Sequence, residues 1–285
     1  MEQSNKQNNT ICFFGAGAMA EAIVSGVLAQ GIFLPEQVSV LNKSNEQRLH
    51  HLHSKYGVTV SNEEQQKQLL LQQADIIVLA MKPKDAVAAL TELQAHIRAD
   101  QVLVSVIAGL SITSIKQLIG VKQPVVRAMP NTSSSIGQGV TGISYSDEVT
   151  EVEKMTIQSI FSAIGIALTI DEKQQSAITA ISGSGPAYIY FFVEAMTAAA
   201  EKLGFTTADA SKLVLHTLKG AAAMLEQTEL PAEQLRKNVT SPNGTTAAAL
   251  DVMIDQQLST TISDAIQRAC TRADELGKEI ERSIH

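Results

Sequence analysis

The chain has 285 residues, 45% hydrophobic and 18% charged, a composition that folds; at roughly 150 residues per domain it suggests two domains or one large one. Lysine plus arginine total 22 against 29 aspartates and glutamates, a net charge of −7, with seven Phe, four Tyr and no Trp. That balance argues against a general binder of nucleic acid or anionic membrane, and so few rings argue against a base-stacking platform. Two distant cysteines, Cys12 and Cys270, make no disulfide framework and point to a reducing compartment. Residues 1–10 are polar and read as a loose tail rather than a signal peptide. The longest apolar runs, such as 76–81, fall far short of the roughly 20 residues that span a bilayer. The expected location is the cytoplasm.

From the N-terminus, short apolar runs at 11–14, 37–41, 58–60, 75–81, 102–108 and 125–129 read as strands. Their wholly apolar character predicts a sheet covered on both faces, hence parallel and flanked by helices. Helical stretches lie between them, at 19–30, 45–56, 63–72, 83–97 and 111–119. This alternation is the signature of a doubly wound α/β domain. Two further strands, 139–146 and 165–170, flank a helix at 151–163, and the domain is placed at residues 1–170. Residues 171–285 are alanine-rich and predict an all-α domain, with helices at about 173–181, 186–203, 207–226, 231–238, 244–256 and 258–282. The last shows one clean apolar stripe, whereas 186–200 is apolar nearly all round. Such a helix must be buried on every side, so a subunit interface is expected there.

The first strand runs into Gly15-Ala16-Gly17-Ala18-Met19-Ala20, opening a helix. This is the dinucleotide fingerprint with alanine at the third glycine position. Gly15 allows the tight turn, and Gly17 lets backbone approach a pyrophosphate seated on the helix start. The string alone is weak evidence; its place between a strand and a helix, heading a βαβ series, is the confirming context. The second strand ends in Leu41-Asn42-Lys43-Ser44-Asn45, with Arg48 just beyond and no acid to hold ribose hydroxyls. A carboxylate would repel a 2′-phosphate, while amide, hydroxyl and cationic groups would hold it. NADPH is therefore expected over NADH; the alternative is that Lys43 and Arg48 are ordinary solvated charges. At the C-terminal sheet edge, where ligands bind in such folds, lie Ala80-Met81-Lys82-Pro83 and Arg127-Ala128-Met129-Pro130-Asn131-Thr132. Lys82 is an active-site candidate, against the reading as a surface lysine, and Asn131 a candidate lining for the nicotinamide, against a simple turn.

In the helical half, glycine-rich loops at 182–186 and 239–246 interrupt the helices. The second runs Val239-Thr240-Ser241-Pro242-Asn243-Gly244-Thr245-Thr246 straight into a helix. Small residues entering a helix expose backbone N–H groups at a positive dipole end, which suits a carboxylate. A capped helix–helix connection is the equally open alternative.

Taken together, GAGAMAEAI at 15–23, AMKP at 80–83, RAMPNT at 127–132, SGSGPAY at 182–188 and LRKNVTSPNGTTAAALDVM at 235–253 resemble Δ1-pyrroline-5-carboxylate reductase. The resemblance covers nearly the whole chain from about residue 11. It implies a Rossmann domain followed by a helical dimerisation domain, assembly as homodimers or rings of dimers, and hydride transfer from NAD(P)H to a cyclic imine carboxylate, giving L-proline. It further implies that the Ser241 hydroxyl and the N–H groups of Gly244 and Thr245 bind the carboxylate, within the turn that includes Asn243. The Thr246 hydroxyl would bond the ring nitrogen, and backbone at 183–185 would border the nicotinamide. Thr246 and Lys82 are thus the catalytic candidates. Gly15, Ala16, Gly17, Ala18, Met19, Asn42, Lys43, Ser44, Ala80, Met81, Lys82, Pro83 and Asn131 are the cofactor-binding ones. One departure stands out: the family usually has two glycines where this chain has Asn243-Gly244, though Asn tolerates a left-handed backbone.

Two rivals remain. A β-hydroxyacid dehydrogenase would place a lysine acid in a long central helix, but Lys202 lies at the far end of the 186–203 helix. A non-catalytic NADP-binding relative would tend to lose the 241–246 loop, which is present here. His50, His51 and His53 cluster without a Cys or paired carboxylate to complete a metal site, so no metal is expected.

Overall fold

The computed structural model describes residues 9–120 and 122–284. Two compact units result: residues 1–184 with 269–285, and residues 185–268. The boundary expected near residue 170 coincides with the end of the last strand, while the division between units falls at Ser184.

The first unit carries an eight-stranded sheet. Its strands are β1 (Ile11–Phe14), β2 (Val38–Leu41), β3 (Thr59–Ser61), β4 (Ile76–Leu79), β5 (Val102–Ser105), β6 (Val125–Met129), β7 (Gly139–Tyr145) and β8 (Gly165–Thr169). They are ordered β3-β2-β1-β4-β5-β6-β7-β8, so the chain reverses direction across the sheet at β1/β4. The helices are α1 (Ala18–Ala29), α2 (Glu46–Tyr56), α3 (Glu64–Gln73), α4 (Ala86–Leu93), α5 (Ile112–Ile119), α6 (Glu151–Ser162) and α7 (Gln175–Ile178). Strand side chains alternate between faces. Ile11, Phe13, Val38, Val40, Ile76 and Val78 form one core with Ile23, Leu52 and Phe161 of α1, α2 and α6. Cys12, Leu41, Ile77, Leu79 and Leu103 form the other with Leu71, Leu90 and Ile115 of α3, α4 and α5. Both faces are therefore covered, which is why these strands read as unbroken apolar runs. Burial in β1 pushes the Cys12 thiol up to about 12, leaving it inert.

Three local features differ from the sequence reading. Strand β7 runs antiparallel to β6, the one reversal in an otherwise parallel ladder. Residues 130–138, folded as a 3₁₀ turn closing on left-handed Gly137, are shorter than the dozen or so needed for a parallel crossover. The stretch 83–97 is not one helix: 3₁₀ turns at Pro83–Asp85 and Gln94–His96 bracket α4. Of the expected N-terminal tail, residues 1–8 lie outside the described residues, while Thr10 is anchored by Asp75 Oδ2, which accepts from its N–H (2.8 Å) and its hydroxyl (3.0 Å).

The second unit holds α8 (Gly185–Lys202), α9 (Thr207–Thr228), α10 (Ala232–Asn238), α11 (Thr245–Asp255) and the start of α12 (Leu258–Ile284). Among the described residues of this unit, the buried apolar ones are Ala210 and Val214, both on α9. Ile189, Tyr190, Phe191 and Phe192 of α8 are exposed, Phe191 to 73%. A row of large apolar side chains in water is the mark of a surface meant to be covered.

Candidate active site

The turn after β1 is built around two glycines with different reasons to be glycine. Gly15 has φ +120°, and a Cβ there would lie 2.5 Å from the Ala80 carbonyl oxygen. Its N–H bonds Leu41 O (3.0 Å), and Ala80 N–H bonds Phe14 O (2.9 Å). The ends of β1, β2 and β4 thus converge on a residue that must lack a side chain. Gly17 is different: its φ of −71° suits any residue, and a Cβ would sit an ordinary 3.8 Å from Ala80 O. Nothing in the chain requires glycine there. No side chain caps α1, so its first-turn N–H groups stand free at exposed Gly17 and Ala18, while Ala16 is buried and Met19 half-buried. An open cradle at a positive helix end, free of Cβ atoms on its outer side, fits a dinucleotide's pyrophosphate.

At the end of β2, Asn42 Oδ1 accepts from the N–H groups of Ser44 and Asn45, both at 3.0 Å, closing a tight turn. Asn45 then caps α2 through Arg48 N–H (2.9 Å). Lys43 and Ser44 are exposed on the turn, where no acid stands. Arg48, expected to face a 2′-phosphate, is held elsewhere. Its Nε donates to Ala16 O (2.8 Å), and its Nη2 donates to Gly17 O (3.2 Å) and pairs with Glu21 Oε2 (2.6 Å). Glu21 also accepts from Lys55 Nζ and Tyr56 Oη, each at 3.0 Å, with His51 at 3.4 Å. Burial pushes the Glu21 carboxyl up, but the hydrogen bonds from Lys55, Arg48 and Tyr56 outweigh it and bring the pKa to about 2. This cluster was not foreseen. Its trace in the sequence is the spacing of Arg48, His51 and Lys55, which puts three bases on one face of α2.

Beyond β4, Ala80 is half-buried, Met81 packs against the second core, and Lys82 stands exposed before Pro83, which opens the 3₁₀ turn. Beyond β6, Asn131 is nearly buried and bound at both ends of its amide: Nδ2 donates to Ser182 O (3.0 Å), and Oδ1 accepts from Val140 N–H (3.2 Å). It therefore ties the sheet edge to residues 179–183. Those residues form a π turn, not the open glycine loop expected at 182–186; Ser184 N–H closes it on Thr179 O (2.8 Å). Such π turns recur at functional sites.

In the second unit, Asn243 takes φ +59°, the left-handed region, and so does what glycine usually does at that position. Gly244 has an ordinary φ of −82°, but a Cβ would come within 3.0 Å of Ser241 O. Its N–H closes the turn on that same oxygen (3.0 Å). Gly244 precedes α11 with no side-chain cap, so the helix's first N–H groups stand unclaimed by side chains. Ser241, Asn243 and Thr245 are exposed and Thr246 half-buried around this mouth. No side chain caps this connection, and the arrangement can receive an acid group.

Known proteins share both units. A family model described as pyrroline-5-carboxylate reductase dimerisation matches residues 172–276, and one described as NADP oxidoreductase, coenzyme F420-dependent, matches residues 10–109. Pyrroline-5-carboxylate reductase 2 of Bacillus subtilis is 40% identical over 269 residues, covering 94% of this chain and 95% of that protein. The chain belongs to the pyrroline-5-carboxylate reductase family. A solved Coxiella burnetii pyrroline-5-carboxylate reductase superposes with a TM-score of 0.86 at 37% identity, over 95% of this chain and 99% of that one. The Plasmodium falciparum pyrroline carboxylate reductase, solved with NADP bound, gives 0.84 at 29% identity, over 95% and 99%. The dimerisation match spans the helices that expose Phe191 and its neighbours, and supports self-association.

Proposed function

We propose that this member of the pyrroline-5-carboxylate reductase family reduces the C=N bond of Δ1-pyrroline-5-carboxylate to L-proline, the last step of proline synthesis. NADPH is the preferred cofactor, with NADH also accepted. When bound, the reduced nicotinamide supplies the hydride that adds to the imine carbon. The free N–H groups at Gly17 and Ala18 receive the pyrophosphate, and the Asn42–Ser44 turn, with Lys43, receives the 2′-phosphate. Ala80, Met81, Lys82 and Pro83 border the same edge of the sheet, and Asn131 holds that edge in shape.

In the second unit, the Ser241 hydroxyl and the Thr245 N–H grip the substrate carboxylate, while the Gly244 N–H, donated to Ser241 O, holds the turn that Asn243 shapes. The Thr246 hydroxyl hydrogen-bonds the ring nitrogen, which enters protonated as an iminium, and fixes the reacting face. No strong general acid is needed, because the proton is already on nitrogen when hydride adds to carbon. Catalysis is then mainly positioning. The observation that carries this reading is the uncapped start of α11 behind left-handed Asn243, in a chain 40% identical to a named reductase over 94% of its length. Homodimers, or rings of dimers, would cover the apolar face of α8. A cytoplasmic location accords with helices among the described residues too short or too polar to cross a membrane. The test is consumption of NADPH by the cyclic imine with L-proline as product; a protein that binds NADPH but leaves the imine unreduced would be the non-catalytic relative.

A further inference from the structure

The structure assigns Arg48 to the pyrophosphate half of the cofactor site: we propose that it is a positioning residue which aims the N–H groups of Gly17 and Ala18 outward. The inference rests on the reading of the 15–19 turn as the dinucleotide cradle. In a trans peptide the C=O and the following N–H point in opposite directions, and no cis peptide occurs among the described residues. Arg48 holds Ala16 O at 2.8 Å and Gly17 O at 3.2 Å, so two consecutive carbonyls face α2. The paired N–H groups, of Gly17 and Ala18, must then face away from α2, on the exposed side of the turn. Gly17 O also accepts the first bond of α1, from Glu21 N–H (3.1 Å), so the plane that depends on the clamp is Ala16–Gly17, which without Arg48 could rotate and present oxygen to an anion.

Glu21 fixes the clamp. Its carboxylate holds Nη2 at 2.6 Å and is itself held by Lys55 and Tyr56. The guanidinium is therefore already paired and is not a free cation for a 2′-phosphate. Its planar fork suits two carbonyls and a carboxylate at once, a geometry an ammonium cannot reproduce. Arg48 also begins where the Asn42–Asn45 turn ends, through the Asn45 cap on its own N–H. It thus joins the turn proposed for the 2′-phosphate to the turn proposed for the pyrophosphate.

The test measures dissociation constants by calorimetry for NADPH, NADH and 2′-AMP, which carries the 2′-phosphate but no pyrophosphate. Wild type, Arg48→Gln and Arg48→Lys are compared, with thermal midpoints alongside. Arg48→Gln should weaken NADPH and NADH by the same factor, about tenfold for lost charge-assisted bonds, and leave 2′-AMP within about twofold. Arg48→Lys should fall between wild type and Arg48→Gln for the two dinucleotides, and it serves alone if Arg48→Gln fails to fold. Loss of 2′-AMP and NADPH with NADH spared would overturn the proposal in favour of direct phosphate contact. Unchanged affinities, or equal weakening of all three ligands with a lowered midpoint, would overturn it too. Wild type binding neither dinucleotide would instead remove the cradle reading itself.

Discussion

Gly15 and Gly17 belong to one motif, yet the structure gives them separable jobs. In Gly15→Ala the new methyl would lie 2.5 Å from Ala80 O at a φ of +120°, with backbone on both sides of the contact. Strain in that region costs about 1–3 kcal/mol and overpacking about 1–3 kcal/mol, so a loss of about 2–6 kcal/mol is expected. In Gly17→Ala the methyl meets nothing closer than 3.8 Å at a φ of −71°. Its stability should stay within about 1 kcal/mol of wild type, because the backbone is one alanine adopts freely. Yet that methyl stands where a pyrophosphate would rest, so NADPH affinity should fall at least about tenfold, a penalty of about 1.4 kcal/mol. Denaturant unfolding and calorimetric titration of both variants make the comparison. A Gly17→Ala protein that binds NADPH like wild type would refute the assignment. So would a Gly15→Ala protein of wild-type stability.

Other outcomes follow from the same geometry. Thr246→Val should cut kcat/KM by about 10- to 1,000-fold, as expected for one orienting hydrogen bond, and unchanged steady-state kinetics would remove Thr246 from the site. Ser241→Ala should raise the KM for the imine with NADPH affinity unaltered; the reverse pattern would misplace the carboxylate. Asn243→Gly should retain activity, whereas Asn243→Val, β-branched at φ +59°, should lose stability by about 1–2 kcal/mol and disturb the turn, as thermal melts and kinetics would report. Because Glu21 titrates at about 2, below its ordinary 4.5, its ion-pair cluster contributes stability above pH 4.5 that is lost as pH falls towards 2. Glu21→Gln should therefore be less stable than wild type at pH 7, with the gap closing in acid; a gap independent of pH would contradict the hub. Phe191→Asp, at a side chain 73% exposed in the single chain, should shift sedimentation towards monomer.

The layered architecture was legible because burial on both faces leaves its imprint on every strand of the first half. The βαβ rhythm from Ile11 to Met129 follows directly from it. Strand direction leaves no such imprint: nothing in the residues of β7 marks its direction, and the brevity of 130–138 is what reverses it. The turn at 179–183 was obscured because glycines and serines signal open loops, while its bond from Asn131 at the sheet edge to Ser182 O joins residues about fifty apart in the chain. The 239–246 turn was legible from its small residues, and Asn243 adopts the left-handed backbone its side chain tolerates. Arg48 was read for its charge, since nothing local reveals that Glu21, a full strand and helix earlier, already pairs with it. Contacts between residues distant in the chain are the part a linear reading misses.

The central claim is that this chain turns a cyclic imine acid into an amino acid at the expense of a reduced nicotinamide. The most direct measurement mixes the purified protein, Δ1-pyrroline-5-carboxylate and either NADPH or NADH, and follows absorbance and L-proline together. One proline formed per cofactor oxidised, faster with NADPH at equal low concentrations, is the predicted result. Cofactor bound but no proline formed with either nucleotide would contradict it.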